Sequence, residues 1–153
     1  MAVIQVKLSE LGKLLGAEPK RQIPQIKHAV RIGLLQSIPH LVQKSPVDTG
    51  QYANSWDFTE TESEMILGNF SPHAAVIENG ARPFTPPIGP LLAWAKRVLN
   101  DSSQPPDYSP EVRGLAYGVR NKIQKEGMKP RNILGQEMPN IIARIKREFK
   151  KIE

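Results

Sequence analysis

The sequence lacks cysteine, lacks long apolar runs and, over an internal stretch, lacks every basic side chain. Zero cysteines in 153 residues exclude a disulfide framework and thiolate metal sites. Nowhere do ~18 consecutive apolar residues occur, as a membrane span requires, and the start lacks the apolar run of a signal peptide. These absences predict a soluble protein, made in the cytosol, with no contact to a membrane.

Lys and Arg are absent from residues 47–81, where six Asp and Glu residues give a charge of −6. Residues 1–46 carry +5 and residues 120–153 carry +6, so an acidic middle lies between basic ends. The overall charge of +6 and the pI of 9.7 are compatible with a nucleic-acid partner. The separation of acidic and basic residues along the chain also suggests two complementary protein surfaces.

Length and composition predict one domain. A chain of 153 residues with 39% hydrophobic residues can bury one sizeable core and is short for two ordinary domains. We expect an amino-terminal arm or short helix over residues 1–23 and a core over 24–153. Within the arm, residues 2–7 alternate weakly, as an edge strand or an unpaired arm would, and Ser9 can cap a short helix that ends at Gly16.

The chain is organised around the turn at residues 45–56. Pro46 disfavours helical dihedrals in the residue before it, so an arriving helix should end there. Asp48 and Thr49 can bond their own backbone, and Gly50 accepts the positive φ that closes such a turn. These residues are therefore predicted to form a structural corner between helix and strand.

The tripeptide Asp48-Thr49-Gly50 is also the signature of aspartic proteases, in which two carboxylates share a proton. That chemistry needs buried strands on both sides of the turn, whereas the preceding residues have the pattern of a helix end. A three-residue motif is weak evidence outside its structural context. We therefore predict no catalytic residue and no enzymatic activity. We also predict no cofactor and no metal site, since His28 and His40 lack metal-ligand spacing.

The periodicity of apolar residues predicts an α+β fold. A helix should run from Pro24 to residue 44 with a kink at Pro39, and residues 55–60 and 64–69 should form a hairpin. Further helices are expected from Pro90, from the Ser109-Pro110-Glu111 start and near the carboxyl terminus, with a third strand or short helix at residues 74–78. We expect a small, mainly antiparallel sheet packed by the long helix of the amino-terminal half and by the C-terminal helices.

A longer succession of motifs resembles the head–tail joining or tail-completion proteins of long-tailed bacteriophages. Its parts are the Ser-Pro-Val-Asp-Thr-Gly turn with Tyr52, Ser55 and Trp56, the segment from His73 to Gly80, Arg82-Pro83-Phe84, Trp94 and the segment from Lys125 to Arg131. The similarity covers residues 25 to 151. This sequence has His73 where the family usually has tyrosine.

The resemblance implies a virion protein of the phage neck, assembled in the host cytoplasm. It implies a homo-oligomeric ring, six-fold or twelve-fold, between the head connector and the tail, in contact with other neck and tail proteins and passively with DNA in the lumen. It also favours a helical turn at residues 74–78 that ends at Gly80, and we assign Glu78 and Gly80 to a second structural turn. Because Gly80 follows a polar residue at the end of an element, we predict a positive φ there. The alternatives are a basic DNA-binding module and the aspartic-protease-like homodimer.

Charge segregation suggests how such subunits meet. A closed ring needs two different, complementary patches on each subunit, and opposite charges can select their register. We predict a subunit interface between an acidic hairpin patch and a basic patch on the last helix, formed by Glu60, Glu62, Glu64, Arg144, Arg147 and Lys151. In the competing interpretation, the basic residues face the DNA.

Overall fold

The computed structural model describes residues 2–7, 10 and 23–152. The short helix expected between Ser9 and Gly16 lies outside these residues. The elements are β1 (Ala2–Lys7), α1 (Ile23–Leu35), α2 (Ile38–Lys44), a 3₁₀ turn (Ala53–Ser55), β2 (Trp56–Glu60), β3 (Glu64–Asn69), α3 (Ala74–Asn79), α4 (Ile88–Val98), α5 (Pro110–Glu126) and α6 (Ile133–Lys150). The fold is α+β, with a small antiparallel sheet packed by helices, as the periodicity predicts.

The sheet has three antiparallel strands in the order β1-β3-β2. The predicted hairpin is present as β2 and β3, and residues 2–7 are an edge strand rather than an unpaired arm. In the register of β1 on β3, Val3 lies opposite Gly68. A Cβ atom at Gly68 would collide with the Val3 side chain and approach the carbonyl oxygen of Ala2. Glycine at this position therefore allows the close approach of the edge strand.

The long helix predicted over residues 24–44 is two helices, and the prediction of a kinked but continuous helix is wrong. The break between α1 and α2 lies at Gln36 and Ser37. Pro39 has no N–H to donate to the carbonyl of Leu35, and its ring crowds that carbonyl. The Ser37 hydroxyl instead donates to the carbonyl oxygen of Gly33 at 2.7 Å, which satisfies a group that the break would leave free.

Contacts between residues divide the chain into two compact units. The first contains the described residues up to Glu78 and from Asn132 onward, and the second contains residues 79–131. The prediction of a single domain stays a prediction beside this division.

The first unit holds the main core, between the sheet and helices α1 and α6. Helix α1 contributes an apolar stripe at helical spacing, and α6 contributes Ile141, Ile145 and Phe149. Gly33 faces Ile145 so closely that an added Cβ would lie 2.9 Å from the Ile145 backbone nitrogen. The two helices are therefore in near-backbone contact at this point.

The second unit is built on the packing of α4 against α5. Its fully buried apolar residues are only Ala95, Val112 and Ala116. The Ser109 hydroxyl caps α5 by accepting a hydrogen bond from the Val112 N–H at 3.3 Å, as predicted from the Ser-Pro-Glu start. Helix α4 begins at Ile88, two residues before the predicted start, because proline is tolerated within a first turn whose N–H groups have no helical acceptor.

Candidate functional site

The turn at Pro46–Gly50 is an exposed bend between α2 and the 3₁₀ turn. Gly50 has φ +82°, as expected. Its carbonyl oxygen accepts a hydrogen bond from the Asn54 N–H at 2.9 Å, at the start of the 3₁₀ turn. The Thr49 hydroxyl accepts from the Gln51 N–H at 3.4 Å. Asp48 is exposed and has a helix, not a buried strand, on its amino-terminal side. This is not the setting in which an aspartic protease holds its shared proton.

Tyr52, which follows the turn, packs into the core of the first unit. Its ring is buried, and its hydroxyl donates to Oε1 of Glu78 at 2.9 Å. The Leu134 N–H donates to Oε2 of the same carboxylate at 3.0 Å, and the Asn132 N–H donates to the Glu78 carbonyl oxygen at 3.1 Å. Glu78 is 5% exposed. One carboxylate therefore joins the turn to the start of α6.

A second set of polar contacts holds the turn against the sheet. Trp56 donates its indole N–H to the Ser45 hydroxyl at 2.8 Å, and Ser45 donates to the Leu41 carbonyl oxygen at 2.7 Å. The Asn69 side chain donates to the Tyr52 carbonyl oxygen at 2.7 Å. Tyr52 and Trp56 also meet edge to face, with ring centroids 5.8 Å apart. We call this set, together with the Glu78 contacts, the turn junction.

Gly80 and Gly127 form a corresponding close approach in the second unit. They have φ +73° and +74°, and the adjacent residues Ala81 and Met128 pair through two backbone hydrogen bonds of 2.9 and 2.8 Å. A Cβ at Gly80 would meet the carbonyl oxygen of Met128. The positive φ predicted at Gly80 is confirmed, and the segment that precedes it is a helix, α3, rather than a strand.

The described residues also contain a buried acid that the sequence analysis missed. Glu137 on α6 is 1% exposed and accepts hydrogen bonds from Lys44 Nζ at 2.6 Å, Arg144 Nη1 at 2.8 Å and Asn140 Nδ2 at 3.1 Å. Burial raises the pKa of this carboxyl, but the three donors more than offset it and lower the pKa to about 2. Glu137 lies four residues before Ile141 in the apolar stripe, and that position was the available signal of a buried, paired acid.

The predicted acidic patch is largely engaged within its own chain. Glu60 accepts two hydrogen bonds from the Arg31 guanidinium, at 2.8 and 2.7 Å. The hydrogen bond from Arg31 lowers the pKa of Glu60, against the effect of partial desolvation. Glu64 accepts from the Gln5 amide at 2.8 Å and lies opposite Lys7 across the ladder. Of the three predicted acids, Glu62 is exposed and makes no ion pair with the described residues.

The predicted basic patch divides in two. Arg144 is 14% exposed, and it points inward, where Nη1 also donates to the Ser37 hydroxyl at 3.1 Å. Arg147 and Lys151 are each 61% exposed, and both lie near the Glu148 carboxylate. The structure therefore does not place the three basic residues on one face.

No protein-family model, curated protein sequence or solved structure matches the chain. Across residues 2–7 and 23–152, none of the helices has the length and apolar character needed to cross a bilayer. Over the same ranges, no three His, Asp or Glu side chains are grouped so that they could hold a metal ion.

Proposed function

We propose that this chain is a structural virion protein of a tailed bacteriophage, a neck or tail-completion subunit that forms a ring between the head connector and the tail. The observation that carries the proposal is the turn junction. The Tyr52–Glu78 contact at 2.9 Å joins two of the sequence segments that resemble the phage family, although they are 26 residues apart. Tyr52 and Glu78 lie in segments that resemble the family, and they also contact each other in the folded chain. One architecture in common with that family would account for both facts.

The chemistry of the junction fits a structural role. Both carboxylate oxygens of Glu78 accept hydrogen bonds from the chain itself, and the Asn69 amide donates to the backbone of Tyr52. Buried polar groups that are satisfied in this way fix a single arrangement of the surrounding elements.

Exposed apolar residues supply the contacts that a homo-oligomer and its neighbours in the neck would use. Val47 is 75% exposed at the tip of the turn, and Phe70 is exposed at the end of β3. Apolar groups contribute most of the affinity at protein interfaces, because contacts between exposed charges are individually weak. We therefore assign the ring contacts to apolar side chains. Glu62 is the hairpin acid that remains without a partner among the described residues.

Electron microscopy tests the proposal. Particles are collected from cells in which the chain is expressed from its native genome, and they are labelled with a gold-conjugated antibody against the chain. The purified chain is examined separately by mass photometry and negative staining. We expect label at the head–tail junction alone, and rings of one diameter from the purified chain. Label spread over the capsid or along the tail, or particles without label, would contradict the proposal.

A further inference from the structure

The exposed side of α6 near its carboxyl end forms a basic surface. It consists of Lys146, Arg147, Lys150 and Lys151 around Ala143, and we call it the C-terminal basic face. These residues line an open hollow of about 560 Å³. All four cationic side chains are exposed, and they fall within two turns of one helix. Four cations are therefore presented to solvent on a rigid element.

Among the described residues, little negative charge compensates this face. Glu148 is the sole acid among residues 138–152, and its Oε1 accepts from Lys151 at 2.8 Å and from Gln36 at 3.4 Å. The hydrogen bond from Lys151 lowers the pKa of Glu148, so the carboxylate is charged at neutral pH. Glu137 does not contribute, because Lys44 and Arg144 already surround it. Over residues 138–152, one carboxylate therefore lies beside four cations.

The acidic hairpin of a second copy is a poor match for this excess. Arg31 holds Glu60 in a bidentate pair, and Glu64 bonds Gln5 beside Lys7. Of the three hairpin acids, Glu60 forms an ion pair, Glu64 is hydrogen-bonded to a neutral amide, and Glu62 forms neither contact among the described residues. A polyanion with closely spaced charges would satisfy the face better than this hairpin does.

We propose that the C-terminal basic face binds the phosphate backbone of duplex nucleic acid without reading its sequence. Residues 146 to 151 advance about 7.5 Å along the helix axis, which is close to two base-pair steps of a duplex strand. Lys and Arg contact phosphates through charge, and such contacts position a duplex without specifying bases. The proposal concerns this surface alone and does not depend on where the protein sits in a particle.

Salt-dependent binding of a labelled duplex tests the proposal. The full chain is titrated against a fluorescein-labelled duplex of arbitrary sequence at several NaCl concentrations, with fluorescence anisotropy as readout. The test variant replaces Lys146, Lys150 and Lys151 with Gln. The matched control replaces Lys122, Lys125 and Lys129 with Gln. These three lysines are exposed in the second unit, and each variant loses three positive charges. Circular dichroism establishes that both are folded.

We expect the test variant to bind the duplex at least tenfold more weakly at low salt. The slope of log K against log[NaCl] should become shallower by about 0.9 for each phosphate that the variant no longer neutralises, while the control keeps nearly the wild-type slope. An equal loss of affinity in both variants would overturn the proposal, since net charge alone would then explain binding. Absence of salt-dependent binding by the wild-type chain would also overturn it. So would displacement of the duplex by polyglutamate at equal charge, which would indicate an acidic protein partner.

Discussion

Glu137 keeps its charge inside the protein because three donors surround its carboxylate. Burial alone would raise its pKa, but the three hydrogen bonds outweigh this effect and lower the pKa from 4.5 to about 2. A carboxyl with a depressed folded-state pKa stabilises the fold above its unfolded pKa, and this contribution disappears as the pH falls through the folded pKa. The stabilisation by the Glu137 carboxylate is therefore lost as the pH falls from 4.5 to about 2. At neutral pH this stabilisation is on the order of 3 kcal/mol.

The Glu137→Gln variant tests this assignment. We expect it to lose about 2–3 kcal/mol of unfolding free energy at pH 7, because an amide cannot neutralise Lys44 and Arg144. The difference from wild type should narrow as the pH falls from 4.5 toward about 2. Urea unfolding followed by circular dichroism at several pH values measures both effects. Glu62→Gln, at an exposed acid, is the control and should show neither. If the difference in unfolding free energy between wild type and Glu137→Gln did not change with pH, the charge-based account would be contradicted.

Gly80 and Gly114 provide a matched pair of glycines in the second unit. Gly80 has φ +73°, and a Cβ there would meet the Met128 backbone, whereas nothing lies within 4 Å of a Cβ at Gly114 in α5. Gly80→Ala should therefore lower stability by more than about 1 kcal/mol, and Gly114→Ala should raise it by up to about 1 kcal/mol. Thermal melting compares the two. Equal Tm values would show that the conformation of Gly80 carries no constraint.

At Gly50 the space around the residue is larger, and the cost of alanine should come from the backbone alone. The nearest atom to an added Cβ is the Asn54 side-chain nitrogen at 3.2 Å, and φ is +82°. We expect Gly50→Ala to cost about 1 kcal/mol, less than Gly80→Ala, by the same melting measurement. Gly50→Asn, a residue that tolerates this region, should recover part of the loss.

At the scale of elements, the sequence predicts what short-range chemistry decides. The alternation in β2 and β3, the cap at Ser109 and the positive φ of Gly50 each depend on a few neighbouring residues, and the structure contains all of them. The separation of α1 from α2 depends on how Pro39 and Ser37 compete for backbone carbonyls. Sequence periodicity does not resolve that competition, because the apolar stripe continues across the break.

Contacts between distant segments were beyond the reach of the sequence. Glu137 is bonded to Lys44, 93 residues away, and Glu60 to Arg31, 29 residues away. Charge counts along the chain treated these acids and bases as free, although folding pairs them. The turn residues of the candidate site were therefore predictable, whereas the state of its charged patches was not.

The edge strand β1 offers a prediction at the level of one element. Gly68→Ala places a methyl group against the Val3 side chain and near the Ala2 carbonyl oxygen. We expect β1 to separate from β3 while the β2–β3 hairpin persists, so that amide hydrogen exchange rises at least about tenfold in β1 and at the β3 amides that donate to β1, but not in β2. Adding Val3→Ala removes the nearest clash and should restore part of the protection. Equal loss of protection in all three strands would contradict this selective effect.

At the scale of the whole molecule, the folded chain holds its opposite charges in two different states. The acids of the hairpin are mostly paired with α1 and β1, whereas the C-terminal basic face keeps four exposed cations beside one carboxylate. Of the hairpin acids, Glu62 alone has neither an ion pair nor a hydrogen bond with the described residues. On the basic face, Lys146 and Lys150 make no ion pair with the described residues, and Arg147 and Lys151 share one carboxylate.

Salt should therefore separate self-assembly from duplex binding. We predict that the proposed ring keeps its mass from ~0.05 to ~0.5 M NaCl, because apolar contacts are not screened by ions. Over the same range, duplex affinity should fall about 10²- to 10³-fold if some three phosphates are contacted. Mass photometry and anisotropy on one preparation give both quantities. Glu62→Lys, which reverses the free hairpin acid, should leave the ring mass unchanged. A ring that dissociates at high salt and in Glu62→Lys would instead establish charge pairing between copies, and would assign Arg147 and Lys151 to the subunit interface.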